Sequence, residues 1–367
     1  MNSKNLVLYC SAILVGVSGH SLTGTFVSDK SFGSVTTYAP NDSNLYYSPY
    51  QWLVTANSAS TINSASYVRF IFSGTFLNFT FDTSNMVTPA SEVYWKIDNG
   101  PLTHSLVLPI VSVDIPSNNT HGDVPFHTAE LFVKSTTETQ NRWSATGAST
   151  RVILTGIVTD GVLAPWIPNN VNVLIYGDSI TEGVLCLGGS QHFDTDHNDA
   201  SVVYSYTLAR LLGSEIGVVG FGATGLSRGG SGGVPALGTS WNQLWDGVPR
   251  DFSPRPDLIL FNEGTNDGAT NITSQMAVVL QNLLTACPGT PIVVMLPFNG
   301  AEETSLKAAI ANVNSNLISF LDTTGFYDQT FGGGLHPTGP NDVARIAPQI
   351  ANKVRGVLAK SIASRDF

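Results

Sequence analysis

The chain has 367 residues, room for two domains. Acidic residues outnumber basic ones 27 to 17, the net charge is -10, and only 12% of residues are charged. That balance argues against a basic nucleic-acid surface and disfavours docking on anionic lipid, and it suits a neutral partner such as a polysaccharide.

Residues 1–19 read as a secretory signal peptide: Lys4, then a largely apolar run from Leu6 to Val17, then Ser18 and Gly19. About a dozen apolar residues is short for a membrane span, and no other stretch approaches that length. The mature protein is therefore expected to be secreted, with no membrane span. Asn-x-Ser/Thr sequons at Asn41, Asn78, Asn118 and Asn271 fit a secreted glycoprotein. Of the three cysteines, Cys10 lies in the leader. Cys186 and Cys287 remain, a pair that an oxidising compartment could join if their Cα atoms come within reach.

Residues 20–165 carry short runs rich in Val, Ile, Thr, Tyr and Phe between turn signals, with no convincing helix. Residues 67–72 and 75–81 are two of them. In the second, Leu77, Phe79 and Phe81 alternate with Phe76, Asn78 and Thr80. Residues 93–100 read as a strand ending in a turn. Many short strands at close spacing predict an all-β sandwich, jelly-roll-like. Pro165 and Pro168 mark the boundary, and residues 170–367 form the second expected domain.

From there strands alternate with helix-like stretches, the pattern of a parallel sheet covered by helices. An apolar run at residues 171–176 leads into Gly177-Asp178-Ser179-Ile180-Thr181, which places Ser179 just beyond a strand, where open α/β sheets put their ligands. Residues 202–212 predict a helix, with Asp199 or Ser201 as cap and Gly213 as stop. The preceding loop, with His192, Asp194, Asp196, His197 and Asp199, has metal-like spacing. It reads instead as a solvated approach to that helix, so no metal is assigned. A strand end at Val218 opens into the turn Gly222-Ala223-Thr224-Gly225. A second buried run, 257–262, precedes Glu263-Gly264-Thr265-Asn266-Asp267. Helices are predicted over 274–286, 305–321 and 340–360, and a strand over 292–296. His336 sits in Leu335-His336-Pro337 just before the last helix.

With these four segments in this order, the chain resembles the SGNH (GDSL-type) hydrolases. The resemblance implies a three-layer α/β hydrolase domain with a parallel sheet. It makes Ser179 the nucleophile and His336 the general base. The Ser179 and Gly225 N–H groups, with the Asn266 amide, become the oxyanion donors, and Gly222 is an alternative register for the glycine. Asp178 and Asp267 read as braces of their turns. One departure matters: the family usually carries aspartate three residues before the histidine, and here that position is Gly333. A triad's third member fixes the imidazole tautomer. Asp328, Asp322 or a backbone carbonyl near Leu335 could serve in its place.

A dyad of this kind is a feature of one branch, carbohydrate esterase family 2, whose members place a β-sandwich before the hydrolase domain. The segment beginning at residues 130–138, together with 214–227 and 256–259, is similar to that branch. The resemblance implies a secreted carboxylic ester hydrolase, an acetylesterase acting on acetylated polysaccharide or another small ester, with no cofactor. Trp241 and Trp245, near Phe221 and Trp166, could form a sugar platform beside the serine, or equally a core-facing pair four apart on a helix. The rival readings are a lipase or lysophospholipase of the same superfamily and a catalytically inactive carbohydrate-binding protein.

Overall fold

The computed structural model describes residues 10–15, 21–26, 34–115, 126–189, 195–328 and 334–364. Of the expected leader, Cys10–Val15 pairs antiparallel with Ser21–Phe26, and the rest lies outside these residues. Asn118 and Gly333 also lie outside them.

The N-terminal half is the expected β-sandwich. One antiparallel sheet runs in the order Thr103–Leu106, Glu92–Ile97, Phe126–Ser135, Tyr67–Ser73, Leu163–Ala164. The facing sheet runs Ile110–Val113, Leu77–Phe81, Val152–Thr159, Ala59–Thr61, Leu53–Val54. Leu77, Phe79 and Phe81 point into the core between the sheets, with Val68, Phe70 and Leu131. Asn78 and Thr80 face outward and are half-buried, as a period of two requires. Gly100 closes the turn after Glu92–Ile97 by donating its N–H to the Ile97 carbonyl.

The C-terminal half is the expected three-layer α/β arrangement. Five parallel strands, β1 (Asn172–Gly177), β2 (Glu215–Gly220), β3 (Leu258–Asn262), β4 (Ile292–Met295) and β5 (Ile318–Leu321), lie in the order β2-β1-β3-β4-β5. Strand β1 is buried on both sides. Leu174 and Tyr176 pack under α3 (Thr273–Ala286) and α4 (Glu303–Val313), while Val173 and Ile175 pack under α2 (Tyr204–Leu212) and α5 (Gly339–Ala363). Burial on both faces explains an unbroken apolar run in place of alternation. No helix among the described residues is long and apolar enough to cross a membrane.

One helix boundary differs from expectation. The predicted helix over 305–321 is α4 followed by β5. Asn314 takes a left-handed conformation, φ 50°, and ends the helix. Helix α2 does stop at Gly213, φ 63°, but Asp199 caps the short turn before it by accepting from Ser201 N–H. Cys186 and Cys287 are both buried and both free, so the pairing that an oxidising compartment could allow does not form.

The two halves are packed together. Strand β2 is an outer strand, yet its free side is occupied. Ile216 donates its N–H to the Tyr67 hydroxyl at 3.2 Å, and Gln51 Nε2 donates to the Val218 carbonyl at 2.9 Å. The Pro49 carbonyl lies so close to Gly217 that any Cβ there would overlap it. Tyr67 in turn donates to Glu215, which also pairs with Arg69 at 2.9 Å.

Candidate active site

Register brings the ends of three strands together: Gly177 lies beside both Gly220 and Asn262. Strand β1 is where connections leave in opposite directions, toward β2 on one side and β3 on the other. That crevice is the usual ligand position in an open α/β sheet. Ser179 opens the four-residue helix α1 (Ser179–Glu182) directly beyond β1. Asp178 caps it, its carboxylate accepting from Ile180 N–H at 2.9 Å. Gly183, φ 98°, ends it and returns its N–H to the Ser179 carbonyl.

His336 comes from the loop before α5. Its Nε2 is 3.0 Å from Ser179 Oγ, and both side chains are largely buried, at 7% and 6% exposure. That is the contact a general base needs with a nucleophile. The Tyr327 hydroxyl lies 2.9 Å from the Gly334 carbonyl and 3.2 Å from that of His336, and so fixes the histidine loop from below. Of the carboxylates expected as stand-ins for a third member, Asp328 is exposed and directly follows Tyr327. Asp322 is exposed and accepts from Thr324 N–H at 2.9 Å. Its hydrogen bonds to Thr324 hold its carboxyl below the usual range.

Asn266 stands at the end of the loop after β3. It spends one amide N–H on the Thr224 carbonyl at 2.9 Å, which leaves the second free to donate. Asp267 braces the two loops as expected, accepting from Leu226 N–H at 2.9 Å and from the Ser227 N–H at 2.8 Å. Gly225 lies directly over this carboxylate, where a Cβ would come within 2.6 Å of it. The glycine assignment needs correcting, because Gly225 gives its N–H to the Arg228 carbonyl at 2.9 Å. Gly222 gives its own to Glu182 at 2.6 Å. Between them Ala223 adopts φ 60°. Its N–H meets no acceptor among the described residues.

The reading of the two tryptophans as a pair on one helix is also corrected. The helix at Leu237–Ser240 stops before Trp241, and Trp245 lies in a short strand, Gln243–Trp245, so the spacing of four never becomes one helix face. Trp245 is 3% exposed, with the Arg151 guanidinium 4.0 Å from its ring centroid. Trp241 stacks on Phe252 at 5.9 Å. Phe221 is buried against Trp143, and Trp166 faces Arg69 at 5.6 Å.

Sequence reasoning missed a layer of buried acids behind the serine. Burial pushes the Asp178 carboxyl up to about 6. Glu263 is fully buried, neither of its oxygens has a hydrogen-bond partner among the described residues, and burial raises its pKa well above the ordinary value. Its neighbour position in the Glu263-Gly264 turn gave no warning, because glutamate in a loop usually faces solvent. No cluster suited to a metal ion occurs among the described residues.

No family model matches this sequence, and comparison with curated proteins gives no match. Solved structures do match. A family two carbohydrate esterase from Cellvibrio japonicus is 20% identical, with 89% of this chain and 98% of that chain covered and a TM-score of 0.72. A family two carbohydrate esterase from Clostridium thermocellum, solved in complex with cellohexaose, is 19% identical over 86% of this chain and 99% of that one, at 0.69. An acetyl xylan esterase from the rumen bacterium Butyrivibrio proteoclasticus is 17% identical over 89% and 98%, also at 0.69. The fold of this chain is that of the family two carbohydrate esterases.

Proposed function

We propose that the chain is a secreted serine esterase that removes short acyl groups, acetyl foremost, from polysaccharide. The observation that carries this reading is the 3.0 Å contact between His336 Nε2 and Ser179 Oγ at the carboxyl ends of the central strands. The shared fold supports the carbohydrate ester as substrate class.

His336 takes the Ser179 proton as Oγ attacks the acyl carbon, and charge develops on the carbonyl oxygen. The Ser179 N–H and the second N–H of Asn266 are the proposed donors to it. With Gly225 and Gly222 engaged elsewhere, Ala223 N–H is the donor that the glycine-rich turn has to offer. Losing one such donor costs about a hundredfold or more in turnover. As the bond to the sugar oxygen breaks, His336 gives its proton to that oxygen and the acyl group stays on Ser179 Oγ; water, deprotonated by the same imidazole, then attacks the acyl carbon and releases the free acid. Asp328 is the proposed carboxylate partner of the imidazole, since Tyr327 already anchors the same segment to the His336 loop.

Secretion rests on the leader and on two sequon asparagines, Asn41 and Asn271, that are exposed to receive a glycan. The test is hydrolysis of p-nitrophenyl esters from acetate to palmitate, with Ser179→Ala as control. Activity greatest on acetate and lost in the variant is expected. Greatest activity on palmitate would make the chain a lipase. An inactive wild type that binds glycans would make it a binding protein.

A further inference from the structure

The loop joining two sandwich strands, residues 136–151, passes beneath the nucleophile helix. It delivers Arg142, which is completely buried, one of the few cations in a chain with 17 lysines and arginines. Its guanidinium grips Glu182 with both terminal nitrogens, Nη1 on Oε1 and Nη2 on Oε2 at 3.2 Å. Its Nε donates to the Ser231 carbonyl at 3.3 Å, and the group lies over the Phe221 ring at 5.0 Å. Glu182 is the last residue of α1, which Ser179 opens, and the same carboxylate accepts the Gly222 N–H at 2.6 Å. One buried ion pair thus ties together the nucleophile helix, the glycine-rich turn and the sandwich.

We propose that Arg142 and Glu182 are positioning residues for the esterase site, through which the N-terminal sandwich sets the Ser179 helix against the Gly222 turn, and that Glu138 modulates this brace. The proposal rests on the reading of Ser179 as nucleophile. Neither residue reaches the substrate; they act through the geometry of the helix and turn. A bidentate pair suits this task because it fixes orientation as well as distance.

Glu138 belongs to the same sandwich loop, is 3% exposed, and sits against Gly222 so closely that a Cβ there would overlap its Oε2. The charged groups acting on it are Glu182 from α1 and Arg142 from its own loop. The glycine-rich turn presents Gly222 to its carboxylate, and Gly232 of the turn Ser231–Gly233 lies against its backbone carbonyl. Burial, with Glu182 adding to it, pushes its carboxyl up to about 8. Below that pH the neutral acid leaves Arg142 to Glu182. Above it a second buried carboxylate repels Glu182, and the brace loosens.

The folded state holds the Glu138 proton up to about pH 8, while the unfolded chain releases it in the ordinary carboxylate range. The unfolded state therefore binds fewer protons across that window. Stability falls as pH rises through it and changes no further above.

The test reads kcat, KM and Tm of full-length wild type, Arg142→Lys, Glu182→Gln and Glu138→Gln on p-nitrophenyl acetate, from about pH 5.5 to about pH 9.5. Arg142→Lys and Glu182→Gln should lower kcat by about tenfold or more, with KM changed by less than about twofold. Wild type should lose kcat above about pH 8, and Glu138→Gln, which has no proton to lose there, should keep its kcat level through that range. Folded Arg142→Lys and Glu182→Gln with wild-type kcat would overturn the brace. An alkaline limb unmoved in Glu138→Gln would overturn the part given to Glu138. Should Arg142→Lys not fold, Glu182→Gln carries the comparison, since it keeps the side chain's volume. A wild type inactive on every ester means that the Ser179 reading has failed. The fall of Tm with pH, flattened in Glu138→Gln, then decides on the brace alone.

Discussion

Gly220→Ala is the sharpest probe of how the site is built. Gly220 ends β2, and its backbone is not in the left-handed region, so alanine can adopt its conformation. Space is the only obstacle. A Cβ there would stand 2.8 Å from Glu182 N, 3.1 Å from Glu182 Cα and 3.2 Å from the Asp178 carbonyl. All three are backbone atoms of the Ser179 turn, so no side chain can rotate away. Ordinary contact requires α1 to retreat by about half an ångström, and overpacking of this kind costs about 1–3 kcal/mol. At about 2–4 °C per kcal/mol, Tm should fall by roughly 2–12 °C. The larger effect is on chemistry. A misplacement of about 1 Å can cost about a hundredfold, so kcat on p-nitrophenyl acetate should drop by roughly tenfold or more with KM little changed. Gly356→Ala is the control: it lies exposed in α5 with nothing near its Cβ position. It should gain about 0.5–1 kcal/mol and keep full activity. A Gly220→Ala enzyme with wild-type Tm and kcat would refute the close packing of β2 on the serine turn.

Glu263→Met should stabilise the protein by about 1–3 kcal/mol, because it removes two buried oxygens that have no partner among the described residues. The folded-state pKa of Glu263 is raised, so wild-type stability falls as pH climbs above the ordinary carboxylate range. The gain should therefore be larger at alkaline than at acid pH, and urea titrations at two pH values would check it. Tyr67→Phe deletes the donor to Glu215 and the acceptor for Ile216 N–H, and should cost about 1.5–3 kcal/mol in the same titration. Asp328→Ala should leave Tm almost unchanged, since the residue is exposed. If Asp328 orients His336, kcat should fall by about a hundredfold or more. Near-normal turnover would remove it from the site.

The parts of this fold legible in the sequence are those written in local pattern. The apolar run before Ser179 marked a strand covered on both faces, and alternation at residues 77–81 marked one covered on a single face. Strand β5 was hidden because Ile318 and Leu321, three apart, continue the helical spacing of α4; the break at Asn314 is a single residue. The pairing of Ser179 with His336 was readable from motifs, although 157 positions separate them. The fate of the Gly225 N–H was not, since it depends on how the chain returns at Arg228. Trp241 and Trp245 had helical spacing, but the helix stops at Ser240 and tertiary packing places the second ring in the core. Arg142 and Glu182 are 40 residues apart with no local pattern linking them, and only the docking of the sandwich makes them partners.

The occupied flank of β2 has a consequence for anyone who would shorten this protein. Cut away the sandwich, and Ile216 N–H and the Val218 carbonyl lose Tyr67 and Gln51, leaving an apolar strand open along one side. Unpaired strands of that kind are templates for other chains. Residues 170–367 made alone are expected to add strand to strand and leave solution as aggregate. A stable minimal version would have to carry residues 49–67 with it as a plug.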